Sequence, residues 1–206
     1  MSEPNIIYLG VAKAVKPEVI FNVLNDLSER FRTYQGKRKK TWMLKRFIVS
    51  FLFWTGVRIN EFKLTKKRHL DLIGRTYYVP TLKVKRSKGE IPVMPIPLDH
   101  VPDKELKFWM EYFEAFDIKN DDYIISITVQ AIRKHVKNCF KLFNVNVWPH
   151  MLRHSLGYFL AREKLDIRYI REVLRHKNIA NTAIYTMPFQ EELREKLSEI
   201  REKVKY

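Results

Sequence analysis

A single cysteine, Cys139, leaves this chain unable to close an internal disulfide, and one thiol with six histidines offers no C-x-x-C or H-E-x-x-H spacing that would hold a metal. No apolar run approaches the roughly 20 residues that a membrane-spanning helix needs, and the first residues lack the basic-then-apolar order of a secretory signal. The expectation is a cytoplasmic, reducing compartment, no membrane partner and no metal. Internal repeats and low-complexity linkers are absent as well, so the length suits one ordinary domain, and 46% hydrophobic residues exclude disorder. The scarce charge is the negative one. Against 39 Lys and Arg stand 23 Asp and Glu, a net charge of +16 over 206 residues, which points to a polyanionic partner.

The positive charge is not spread evenly. Arg32, Lys37, Arg38, Lys39, Lys40, Lys45 and Arg46 form one block, and a second runs from Lys63 to Lys88, whereas eight acids crowd between Asp99 and Asp122. A basic face with an acidic back suits double-stranded DNA better than lipid, because no single basic amphipathic helix carries the charge. Lys37, Arg38, Lys39 and Lys40 are therefore candidate DNA contacts, as are Arg86 and Lys88 in a later basic turn.

Periodicity supplies the coarse architecture. Pro17 suits a first helical position, and Val19, Ile20, Val23, Leu24, Leu27 and Phe31 follow at helical spacing. Thr41 can cap a second helix that runs through Met43, Phe47, Ile48, Phe51 and Leu52 and ends at Gly56. Between Arg75 and Pro97 the pattern turns to β, including Leu82–Val84, and Pro80, Pro92, Pro95 and Pro97 confine the strands to short or edge pieces. Helices are expected again at about 103–116, 128–143, 150–163 and 165–174, and a charged one at about 189–203. Residues 1–16, without a strong period, read as an N-terminal extension. Residues 17–188 read as a mostly α domain with a small antiparallel β-sheet, an α+β fold. In 189–206, Leu193, Leu197 and Ile200 make a stripe too thin to anchor a core, which suits docking on a neighbouring protomer.

Side chains that handle phosphate recur at fixed places: Arg58 and Glu61 in Thr55-Gly56-Val57-Arg58-Ile59-Asn60-Glu61, then His150, Arg153 and His154, then Leu174-Arg175-His176, then Tyr185. An arginine fork grips two phosphate oxygens, a histidine moves a proton near neutral pH, and a tyrosine hydroxyl can be a nucleophile. Each is ordinary alone. Together the TG-x-R-x-x-E, H-x-x-R and L-x-H boxes and the terminal Tyr, in that order across roughly two thirds of the chain, resemble the tyrosine recombinase (phage integrase) family.

The resemblance implies a DNA strand transferase that needs no metal, nucleotide or other cofactor and works as a tetramer on DNA. It implies that Arg58 and Arg153 grip the scissile phosphate and that Tyr185 attacks it to give a 3′-phosphotyrosyl link. His150 would act as acid/base beside the attacking oxygen, and His176 would hydrogen-bond the phosphate. Lys85, in the hairpin turn, would protonate the leaving 5′-oxygen, with Lys83 and Lys88 as neighbours of the same type. Glu61 would orient the catalytic side chains or be a surface acid, and His154 would pack behind them. Two departures stand out. Arg175 occupies a position where the family usually has glycine, which suggests an added phosphate contact or a changed approach to DNA. Few residues precede the first helix, where the family usually carries a separate clamp domain. A type IB topoisomerase and a DNA-binding protein without chemistry are the other readings the residues leave open.

Overall fold

Helix α1 (Pro17–Thr33) starts where Pro17 has no N–H to leave unpaired, and its buried residues are the periodic set Val19, Ile20, Val23, Leu24, Leu27 and Phe31. The computed structural model describes residues 5–10, 12–81, 91–185 and 190–203, the side chains of 190–196 excepted. Helix α2 (Gly36–Thr55) is the central element, buried on every side from Phe47 to Thr55. The Phe47 ring stacks on Tyr112 with centroids 3.9 Å apart, and Phe51 packs on Phe62, Tyr77 and Trp109. A buried polar knot crosses this core: Arg46 pairs with Glu105 at 2.9 Å, and the Ser50 hydroxyl donates to the same carboxylate while accepting from Trp109 Nε1. Each buried charge there has partners, the condition under which burial is tolerated.

The start of α2 corrects one expectation. Thr41 does not cap the helix; its hydroxyl donates to the Lys37 carbonyl, and the helix begins five residues earlier. Lys and Arg are good helix formers, so the basic block belongs to the first turns of α2. At the other end Gly56, at φ +55°, closes α2 in the left-handed conformation. A Cβ there would stand 2.8 Å from Leu174 Cδ2 and 3.0 Å from Leu156 Cδ2, so two side chains of later helices would also have to shift to admit one.

A three-stranded antiparallel sheet follows the short helix α3 (Ile59–Leu64): β3 (Leu70–Asp71), β4 (Thr76–Pro80) and β5 (Val93–Pro97), with Tyr77 opposite Ile96. The expected strand at 82–84 and the hairpin residues Lys83, Lys85, Arg86 and Lys88 lie outside the described residues. Helices α4 (Asp103–Ala115), α5 (Val129–Lys141, capped by the Thr128 hydroxyl), α6 (Pro149–Arg162) and α7 (Ile167–Leu174, capped by Asp166) fall within a few residues of their expected bounds. A single turn, α8 (Ala180–Ala183), and α9 (Gln190–Lys203) complete the order. Among the described residues no helix is long and apolar enough to cross a membrane.

The N-terminal residues are not a featureless extension. Strands β1 (Ile6–Leu9) and β2 (Ala12–Val15) form an antiparallel hairpin, and Ile6, Leu9, Ala14 and Val15 are buried. The Val15 N–H donates to Ser155 Oγ at 2.8 Å, tying β2 to α6. Four-residue strands are too short to display a period of two against chance, so the pattern did not show them.

Candidate active site

Three segments of the chain bring the phosphate-handling residues together. Gly56 turns the chain so that Arg58 caps α3, and the Arg58 N–H donates to Glu61 Oε2 at 2.9 Å while its Nη1 donates to Glu61 Oε1 at 2.9 Å. Helix α6 presents His150, Arg153 and His154, and the end of α7 presents His176. All five cationic or imidazole groups line one cavity of about 610 Å³.

Arg153 is the keystone. The residue is 1% exposed, and its guanidinium donates through Nη1 to the Gly56 carbonyl and through Nη2 to the Leu174 carbonyl, so one side chain ties the end of α2 to the end of α7. Burial, and then the neighbouring guanidiniums of Arg175 and Arg58, pull it down to about 9, still charged at neutral pH. Arg58 is the more open partner, with its side chain 30% exposed.

Arg175 corrects the sequence reading. It was expected as a DNA contact, yet its side chain is 6% exposed and pairs with Glu61 at 3.1 Å. The reason is its backbone: Arg175 closes α7 at φ +53°, the conformation that favours glycine, and the turn directs the side chain inward. Glu61, 5% exposed, is therefore no surface acid. Burial would raise its carboxyl, but Arg175, the Arg58 N–H and the Arg58 guanidinium outweigh that and hold it below the usual carboxylate range. It fixes the rotamer of Arg58 and neutralises Arg175.

Tyr185 is 2% exposed and approaches α6 across Gly157, where a Cβ would lie 2.5 Å from the tyrosine Cζ. Its hydroxyl is 2.7 Å from His154 Nδ1, with the His150 ring 4.5 Å from that of His154. Thus His154, expected as a packing residue, is the imidazole that meets the tyrosine, and His150 stands one turn earlier on the same face. The His150-x-x-x-His154 spacing could have shown that both share a face; which one faces Tyr185 depends on how the chain returns after α8. His176 Nδ1 is 2.9 Å from Thr182 Oγ1, which orients its ring nearly parallel to that of Tyr185 at 6.3 Å. Lys13 of β2 also lines the cavity, a residue no box in the sequence marks.

The electrostatics of the site are those of crowded cations. Burial, then His150 and Arg153, push His154 down to about 4; burial, then Arg153 and Arg58, push His176 down to about 3; His150 is lowered by the same kinds of cause. Burial raises the Tyr185 hydroxyl and Arg153 only partly opposes it. At neutral pH the imidazoles are uncharged, and the tautomer of His154 with its proton on Nε2 is the one that accepts the tyrosine O–H through Nδ1.

A stability prediction follows. In the unfolded chain these histidines titrate near ~6.5, so between about 6.5 and 4 the unfolded state binds more protons and stability falls as pH is lowered. The thermal midpoint should decline from pH 7 to pH 4.5, and calorimetry should show a shallower decline in His176→Asn, which keeps an acceptor for Thr182. Equal slopes in parent and variant would show that the His176 environment does not depress its proton affinity.

Known proteins resemble this chain in sequence and in fold. The model of the phage integrase family matches residues 21–192. Among similar curated proteins is the tyrosine recombinase XerC of Staphylococcus epidermidis, 26% identical over 179 residues that make up 82% of this chain and 57% of that protein. The tyrosine recombinase XerC of Staphylococcus aureus is 24% identical over 182 residues, 84% of this chain and 58% of that protein. The chain thus spans less than three fifths of these relatives' length. The fold is that of the crystal structure of XerA recombinase, with a TM-score of 0.68 at 22% identity over 94% of this chain and 66% of that one. It is also that of the Tn1549 transposon integrase solved with transposon right-end DNA, with a TM-score of 0.65 at 16% identity over 97% of this chain and 67% of that one.

Proposed function

The chain belongs to the phage integrase family, and on that premise we propose that it cleaves and rejoins double-stranded DNA at specific sites through a 3′-phosphotyrosyl link to Tyr185. One observation carries the reading: the Tyr185 hydroxyl is 2.7 Å from His154, which lines the same cavity as Arg58 and Arg153. A phosphodiester entering this cavity meets two guanidiniums for its nonbridging oxygens, and catalysis of phosphoryl transfer is chiefly such positioning and charge stabilisation. Arg153 spends two Nη donors on carbonyls and keeps others for the phosphate. The incoming negative charge raises the basicity of the crowded histidines, so His154 takes the Tyr185 proton as the oxygen attacks phosphorus. The bond to the 5′-oxygen breaks, and that oxygen takes a proton, for which the family assigns a hairpin lysine; Lys85 is the candidate, outside the described residues. His150 and His176 flank the phosphate. Attack by another strand's 5′-hydroxyl on the phosphotyrosyl bond reverses the step and consumes no nucleotide.

The named relatives are recombinases, which favours exchange between two sites over relaxation of one duplex. The test is incubation with a duplex nicked next to the cleavage position, followed by denaturing electrophoresis. A covalent adduct is expected; its absence across family-type target sites would refute the reading.

The basic block has a different task from the pocket. Lys37 to Lys40 lie in the first turns of α2, 16–19 residues before Gly56, which at the rise of an α-helix is about 25–30 Å along its axis, or about eight base pairs of a duplex. Charge reversal there should flatten the salt dependence of binding, near a log–log slope of ~ −5 for six phosphate contacts in the parent. Cleavage within the bound complex should stay near normal. A cleavage defect without a change in slope would place the block elsewhere.

Assembly belongs to the tail. In α9, Leu197 and Ile200 are 54% and 57% exposed, an apolar stripe left for a second protomer in a DNA-bound tetramer. Deletion of 189–206 should lower assembly on DNA in sedimentation while the thermal midpoint stays close to the parent's; full assembly by the truncated chain would remove the docking role.

A further inference from the structure

The cavity has one wall that the four boxes do not supply. It is β2, which places Ala12 and Lys13 in the same cavity as Arg58, Arg153, His154 and His176. The placement is built in. Lys13 is paired in register with Tyr8 of β1, and two residues on, Val15 is fully buried and donates to Ser155 Oγ. That hydroxyl in turn donates to Met151 O on the helix that carries Arg153 and His154. Lys13 is thus fixed relative to the catalytic helix by a strand, not by a loop.

Its electrostatic state differs from that of the two arginines. Arg58 shares its charge with Glu61, and Arg153 is buried with two donors committed to carbonyls. Lys13 is exposed, and its contact among the described residues is the Tyr8 ring, with Nζ 5.1 Å from the centroid. A cation–π contact steers the stem of a lysine and leaves its N–H donors available for an anion.

We propose that Lys13 is a substrate-contacting residue of this site, its ammonium binding a nonbridging oxygen of the scissile phosphodiester as a third cation beside Arg58 and Arg153. This rests on the reading of the cavity as the strand-cleavage site. The N-terminal hairpin is then part of the active site, and the cation it adds is on a long stem with rotatable bonds that can follow the nonbridging oxygen as charge builds on it.

The experiment compares the parent with Lys13→Ala and Lys13→Arg in single-turnover cleavage of a nicked duplex at saturating protein, using a normal substrate and one with sulfur in place of the bridging 5′-oxygen. Lys13→Ala should cut about 10-fold to 100-fold more slowly, with Arg restoring most of the rate, a lesser loss than for a buried preorganised donor. The defect should persist on the sulfur substrate, whose leaving group needs no proton. Its disappearance there would overturn the proposal and make Lys13 the proton donor, and an unchanged rate would overturn it outright. The salt dependence of binding gives a second reading: the log–log slope should become shallower by about 0.9, one phosphate contact. If the parent itself forms no adduct, the functional reading has failed, and the slope alone decides whether Lys13 meets a phosphate. Because Lys13 is exposed, its thermal midpoint should match the parent's, which separates these effects from folding.

Discussion

Tyr185→Phe is expected to abolish the covalent protein–DNA adduct while leaving DNA affinity within a few-fold of the parent. The two quantities rest on different parts of the molecule. The adduct needs one oxygen, and the substitution removes it without changing the ring that packs across Gly157. Affinity rests on many phosphate contacts from a chain of net charge +16, none of which the hydroxyl supplies. The fold should tolerate the change, because the lost hydrogen bond is to His154, which is only partly buried and can take water in its place. Denaturing electrophoresis after incubation with a nicked duplex measures the adduct, and filter binding or anisotropy measures affinity. An adduct that persisted in Tyr185→Phe would move the nucleophile to another residue, and a collapse of affinity would mean that the hydroxyl shapes the DNA-binding surface.

Much of this site could be read from local rules, and what could not has a common cause. Pro17 and Gly56 mark helix boundaries through their own backbone constraints, so the ends they set were legible. The Arg58–Glu61 pair follows from a spacing of three on a helix start, whatever surrounds it. Arg175, Thr41 and the two histidines of α6 are another matter. Composition identifies Arg175 as a cation, but its inward turn onto Glu61 depends on a left-handed residue closing α7 against α3. Thr41 has the chemistry of a cap, and only the continuity of the helix from Gly36 denies it that place. His150 and His154 are equivalent by spacing, and the return of the chain after α8 selects His154 for the tyrosine. The hairpin β1–β2 is held mainly by contacts to α6, some 140 residues away in sequence, and sequence periodicity carries no such information.

Loss of either clamp arginine should cost the most after the nucleophile, and the two should fail differently. Arg58→Ala removes a partly exposed guanidinium, and cleavage should fall by at least ~10²–10³-fold, the scale for deleting one preorganised donor to a developing anion. Its thermal midpoint should move little, because Glu61 keeps Arg175 as a partner. Arg153→Ala should lose as much in cleavage and be destabilised too. The Gly56 and Leu174 carbonyls would each lose a buried donor, at roughly 1–3 kcal/mol apiece. Lysine in place of Arg153 keeps a charge but has no planar fork to bridge two carbonyls and a phosphate at once, so Arg153→Lys should recover part of the stability and little of the rate. Urea denaturation and single-turnover cleavage on the same three variants give both axes. Near-normal cleavage in Arg58→Ala or Arg153→Lys would remove that arginine from the phosphate. A stable Arg153→Ala would show that the two carbonyls find water, and that the residue serves the chemistry alone.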